Sequence, residues 1–172
     1  MKKIVLLGYM GVGKSTVGKE LADRLQIPFY DLDDLIEKKV QMAVATIFEQ
    51  KGEIYFRKLE HTILHEMMAQ SDAFVLSLGG GTPCYANNHL VLQQADCFSF
   101  YLKASIALLV DRLRDEKNKR PLLAYLDHNE FTEYIAKHLF DRSYFYNQAK
   151  FKISIEGKTP QQISTEIEQY LT

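Results

Sequence analysis

Gly8-Tyr9-Met10-Gly11-Val12-Gly13-Lys14-Ser15-Thr16 follows directly on the unbroken apolar run Ile4-Val5-Leu6-Leu7. An apolar run without alternation is the pattern of a strand buried on both faces. Beyond the glycines, Val17, Leu21 and Leu25 recur at four-residue spacing, so a helix starts near Lys14 and ends before Pro28. The stretch between fits G-x-x-x-x-G-K-[ST] in the strand–loop–helix setting that a phosphate-binding loop requires. Consecutive backbone N–H groups there wrap a phosphate, glycines permit the close approach, and the helix adds its positive N-terminal end. Gly11, Val12, Gly13, Lys14, Ser15 and Thr16 are therefore expected to hold a nucleoside triphosphate. Lys14 reaches the β- and γ-phosphates, and the Ser15 hydroxyl ligates Mg²⁺.

Outward from this loop the pattern alternates. Strands are expected at Pro28 to Asp31, Phe74 to Leu78, Cys97 to Leu102 and Phe151 to Ile155. Helical patterns cover Asp34 to Lys39, Ala45 to Gln50, Glu53 to Met68, Asn88 to Gln94 and Phe131 to Tyr146. Ser105 caps a helix carrying Ile106, Leu109, Val110 and Leu113; Thr159, Pro160 and Gln162 start another as a capping box. The polar stretch Asp115 to Asp127 breaks the periodicity and reads as a mobile loop. Strands alternating with helices imply a three-layer α/β/α fold around a parallel sheet, in one domain spanning residues 1–172.

At 172 residues the chain is long enough to bury a real core. A net charge of -1, with basic residues spread along the chain, gives no reason to expect nucleic acid or an anionic membrane as partner. The apolar stretch after Lys2-Lys3 is too short for a signal peptide, and no stretch approaches the roughly twenty apolar residues of a membrane span. Cys84 and Cys97 form no CxxC pair and read as reduced thiols of a cytoplasmic protein.

A phosphate loop alone does not separate kinases, switches and motors. The N-K-x-D guanine motif of a switch is absent, and Val75-Leu76-Ser77-Leu78 runs into Gly79-Gly80-Gly81 rather than a Walker-B acid. A small-molecule kinase remains. Asp31 and Asp33 leave the second strand at its C-terminal end, where alternation would put both on the crevice side. They read either as magnesium and hydroxyl partners or as residues of a solvated helix start. Arg57, set among aromatics, is either a surface residue snorkelling over Phe56 or a fork for a substrate carboxylate. Three glycines at a strand end are costly in chain entropy, which argues for close backbone approach to a ligand.

Taken in order, these segments carry a resemblance over essentially the whole chain. Gly8 to Ser15, Asp31/Asp33, Gly52-Glu53 with Phe56-Arg57 and Glu60, Gly79-Gly80-Gly81, Arg120-Pro121-Leu122-Leu123, and Arg142 with Tyr146 are similar to the ordered motifs of the shikimate kinase family. The resemblance implies a five-stranded parallel sheet of the nucleoside-monophosphate-kinase-like P-loop kinase fold, with the P-loop strand central. It implies ATP as phosphoryl donor, shikimate as acceptor and Mg²⁺ as cofactor, in a monomer. Asp33 would bind ring hydroxyls and assist deprotonation, and Asp31 would hold Mg²⁺ together with Ser15. Arg57 and Arg142 would grip the shikimate carboxylate beside Gly79, Gly80 and Gly81. Arg120, on a lid at about 114–126, would meet the ATP phosphates, and Arg112 would lie against adenine. The acceptor-binding segment would span about 32–62.

The chain also departs from the family pattern. The segment after Arg142 is bulkier than usual and one residue shorter before the last strand, and Lys158 stands where many members place an arginine by the adenine. Two other readings stay open beside the resemblance: a gluconate or nucleoside-monophosphate kinase, and a catalytically silent nucleotide-binding regulator.

Overall fold

The structure, a computed structural model, describes residues 2–116 and 121–172, with the backbone alone at residues 121 and 122. The strands β1 (Lys3–Leu7), β2 (Phe29–Asp31), β3 (Phe74–Ser77), β4 (Cys97–Lys103) and β5 (Phe151–Ser154) form one sheet in the order β2-β3-β1-β4-β5. Every neighbouring pair is parallel, with Ile4 beside Val75 on one side and Phe98 on the other. Every residue of β1 and β3 is buried, so both faces of the sheet are covered. That is the five-stranded sheet with a central P-loop strand.

The helices are α1 (Lys14–Leu25), α2 (Leu32–Val40), α3 (Val44–Lys51), α4 (Glu53–Met68), α5 (Ile106–Leu113), α6 (Pro121–Ala124), α7 (His128–Tyr146) and α8 (Pro160–Gln169). α1 comes so close to β2 that a Cβ on Gly18 would lie 2.4 Å from the Phe29 ring. α8 packs on α1, held by its buried Ile163 and Ile167 and by an Arg24–Glu168 pair at 2.6 Å. Its N-terminus is the capping box read from Thr159 and Gln162. No described helix is long and apolar enough to cross a membrane.

Three local expectations change. Residues 121–124, expected inside a loop, form α6, with Pro121 at a first helical position that needs no N–H donor. α7 begins at His128 rather than Phe131, because Asp127 and Glu130 make a reciprocal capping box (Glu130 N–H to Asp127 Oδ1, 2.8 Å; Asp127 N–H to Glu130 Oε2, 2.9 Å). Residues 88–93 form a 3₁₀ helix instead of an α-helix. Cys84 and Cys97 are free thiols, and burial pushes them up to about 11 and about 12.

Candidate active site

The P-loop links the end of β1 to α1. Gly13, the residue before α1, has φ 91°, a left-handed conformation that a side chain would strain, and it offers no capping group. The first N–H groups of α1, on Lys14, Ser15 and Thr16, precede the first intrahelical bond, from Val17 N–H to Gly13 O at 2.9 Å. Those amides and the helix dipole make the anion cradle that the motif announced. Arg112, at the end of α5, donates from Nη1 to the Gly11 carbonyl at 3.0 Å and so stands on the rim of this loop.

Lys14 folds over its own loop, donating to the carbonyls of Gly8 (2.8 Å) and Tyr9 (3.1 Å). Burial lowers its pKa to about 8, against the opposing pull of Asp31 and Asp33. Ser15 Oγ donates to Asp31 Oδ2 at 2.7 Å, so the hydroxyl and carboxylate expected to share a cation are already adjacent. Asp31 Oδ1 accepts from the Asp33 N–H at 3.0 Å and caps α2.

This corrects how the two acids reach one place. The strand ends at Asp31, and Asp33 lies in the first turn of α2, so a helix start brings them together rather than strand alternation. Asp31 caps the helix through one oxygen while the other accepts from Ser15. Asp33 is pushed up to about 6, first by burial, then by the negative charges of Asp31 and Glu60, with Lys14 opposing.

The Gly79-Gly80-Gly81 turn is packed against the charged side chains. A Cβ on Gly79 would sit 3.2 Å from Asp33 Oδ1; on Gly80, 2.9 Å from Arg142 Nη1; on Gly81, 2.8 Å from Arg57 Nη2. The glycines thus make room for the acid and both arginines at once. Arg57, on α4, is only 17% exposed at its side chain and bonds Glu60 at 2.9 Å. Its guanidinium lies 3.9 Å from the Tyr85 ring centroid and 5.2 Å from that of Phe56. Arg142, on α7, lies over Tyr9 at 5.7 Å, and its neighbour Tyr146 donates to the Gly80 carbonyl at 2.6 Å. Arg57 Nε and Arg142 Nη1 are buried N–H donors with no hydrogen-bond acceptor, although Glu53 lies 3.6 Å from Arg57 Nε as an ion pair.

Glu60 and Tyr85 were not assigned roles from the residues alone. Glu60 is 1% exposed and bridges Arg57 to the Thr82 hydroxyl (2.7 Å), which ties α4 to the glycine turn. Its i,i+3 spacing from Arg57 was the available signal. Tyr85 had none, because it reaches Arg57 only through a turn whose central residues, Ala86 (φ 49°) and Asn87 (φ 55°), are both left-handed. Lys158 is engaged by Glu166 at 2.6 Å. Arg120 and residues 117–119 of the expected lid lie outside the described residues.

One surface of the fold therefore carries the P-loop, the Ser15–Asp31 hydroxyl–carboxylate pair, the largely buried Asp33 and the two arginines Arg57 and Arg142. The shikimate kinase family model matches residues 10–172. A shikimate kinase of Flavobacterium johnsoniae is 57% identical over 159 residues, covering 92% of each chain. One of Flavobacterium psychrophilum is 52% identical over 171 residues, 99% of each. A solved shikimate kinase from Acinetobacter baumannii, in complex with shikimate, aligns with a TM-score of 0.86 at 32% identity, over 99% of this chain and 93% of that one. With the P-loop, the acids, the glycine turn and the arginines all in place, the chain belongs to the shikimate kinase family.

Proposed function

We propose that the chain transfers the γ-phosphoryl group of ATP to the 3-hydroxyl of shikimate, giving shikimate 3-phosphate and ADP on the route to aromatic amino acids. The observation that carries this reading is the pair of buried guanidinium N–H groups without acceptors, on Arg57 and Arg142, beside a P-loop. Such donors are costly unless an anion completes them, and a carboxylate matches their fork.

Arg57 and Arg142 grip the carboxylate, with Gly79, Gly80 and Gly81 lining that end of the acceptor. Asp33 faces the ring hydroxyls. The P-loop amides and Lys14 hold the phosphates, Arg112 borders the nucleotide, and Lys14 leaves its two carbonyl acceptors for the β- and γ-phosphates. Phosphoryl transfer asks mainly for positioning and charge neutralisation. The hydroxyl oxygen bonds to the γ-phosphorus as the bond to the bridging oxygen breaks, leaving its electron pair on ADP. Asp33 accepts the hydroxyl proton, and a loose transition state requires little of that transfer to come early.

Ser15 and Asp31 supply hard oxygen donors already in contact, a set that fits Mg²⁺. When bound, the cation spreads phosphate charge. Arg120, on the proposed lid at about 114–126, adds positive charge on closure, and the segment at about 32–62 serves the acceptor. On the same reading the enzyme works as a single-domain monomer in the cytoplasm, where ATP is supplied.

The test is ADP release coupled to a spectroscopic assay with shikimate, gluconate and nucleoside monophosphates as separate acceptors. Shikimate alone should support turnover. ADP release that ignores shikimate, or that prefers gluconate, would overturn the assignment.

A further inference from the structure

On α4, away from the P-loop, His61 and His65 stand one turn apart with ring centroids 4.2 Å from each other. Spacing of i and i+4 puts two imidazoles on one helix face, within reach of a single ion. His61 Nδ1 lies 2.7 Å from Asn88 Oδ1. Asn88 is 1% exposed, and its Nδ2 donates to the Thr82 carbonyl at 3.0 Å. A carbonyl only accepts, so the amide nitrogen faces Thr82 and the amide oxygen faces His61. The proton of neutral His61 must then sit on Nδ1, which leaves the lone pair on Nε2.

A ring whose second N–H is tied to a buried oxygen is arranged as metal-ligating histidines are. His65 is exposed beside it. We propose that His61 and His65 form a binding site for a borderline divalent transition-metal ion, with water completing the coordination. Imidazole nitrogen selects Ni²⁺, Cu²⁺ or Zn²⁺ over the hard Mg²⁺ that suits Ser15 and Asp31, so the two sites are chemically distinct. No group of three or more His, Cys, Asp or Glu that could hold a metal occurs among the described residues. Rotation of the exposed His65 ring brings its nitrogen toward the ion, at the usual metal–imidazole distance of about 2.0–2.1 Å.

The experiment is titration calorimetry of the untagged full-length chain with NiCl₂ in excess Mg²⁺, which occupies the oxygen site. Wild type should bind one Ni²⁺ with affinity unchanged by Mg²⁺, and Ni²⁺ should raise its thermal midpoint. His65→Ala, at an exposed position, should keep the wild-type melting temperature and kinase rate while losing at least about tenfold in Ni²⁺ affinity, given that even outer partners contribute about 10–100-fold. His61→Ala should lose as much. Absence of Ni²⁺ binding to wild type, or equal binding to His65→Ala, would overturn the proposal; the second result would put the ion on other groups.

Discussion

Replacing Asp33 by Asn should stabilise the ligand-free fold while removing most of the activity. Burial and the neighbouring acids hold this carboxyl at about 6 rather than 3.8. At about 1.4 kcal/mol for each pKa unit, its ionised form costs the folded state about 3 kcal/mol. Water reaching the part-exposed side chain screens some of that, so ~1–2 kcal/mol is the recoverable share. The sign follows from proton binding. Between about pH 4 and about pH 6 the native chain keeps a proton that the unfolded chain has lost, so stability falls as pH rises through this window. Above about pH 7 the full cost stands. Asparagine carries no charge, so the advantage of D33N should be near zero at pH 4, grow through the window and stay flat to pH 8. Urea melts of both proteins across that range, without nucleotide or shikimate, measure it. A D33N protein that is less stable at pH 7.5, or a difference that does not vary with pH, would refute the reasoning. Turnover with shikimate should drop by about 10²–10⁴-fold in the same variant if Asp33 handles the hydroxyl proton.

Other perturbations separate the two halves of the site. Arg57→Ala should cost shikimate binding about 2–5 kcal/mol while leaving ATP affinity nearly intact; equal damage to both, measured by calorimetry, would contradict a carboxylate role. Gly81→Ala tests the glycine turn sterically, since the backbone at Gly81 (φ -92°) tolerates alanine but the new Cβ would lie 2.8 Å from Arg57 Nη2. It should raise the KM for shikimate with little change in the KM for ATP. Lys14, lowered to about 8, should lose its charge as pH rises through that value, so nucleotide affinity in the free enzyme should weaken between pH 7 and pH 9.5. A Lys14→Met variant should bind weakly throughout and lack that dependence.

The sheet and most helices were legible because their signals are local. A doubly buried strand such as β1 is apolar throughout, and α1 repeats Val17 and Leu21 on its covered face. The start of α7 was misplaced at Phe131, because the capping box of Asp127 and Glu130 is hidden in the polar stretch around it, with no apolar run following at once. The Asp31/Asp33 pair was placed correctly for the wrong reason, since a three-residue strand passes into a helix without a turn residue to mark the change. Tyr85 meets Arg57, and Thr82 meets Glu60, through tertiary contacts between segments far apart in the chain. No periodicity records such contacts.

The glycine turn shows how the ligand-free site holds opposed charges close together without collapsing. Lys14 is occupied by two loop carbonyls, and one nitrogen of Arg57 by Glu60. Each cation thus rests on a nearby acceptor, while Arg57 Nε and Arg142 Nη1 have no hydrogen-bond acceptor. A nucleoside monophosphate would bring a doubly charged group to this end, where Glu60 already neutralises part of Arg57. Gluconate would bring the right carboxylate on a flexible chain, and its ordering entropy would oppose binding. In the proposed assignment, a rigid ring with one carboxylate and hydroxyls on its far side would satisfy both forks and Asp33 together. The discrimination should therefore rest on Arg57, Arg142 and Asp33 acting as one set spaced by Gly79, Gly80 and Gly81, and a change at any glycine should be felt as a loss of acceptor selectivity before a loss of nucleotide binding.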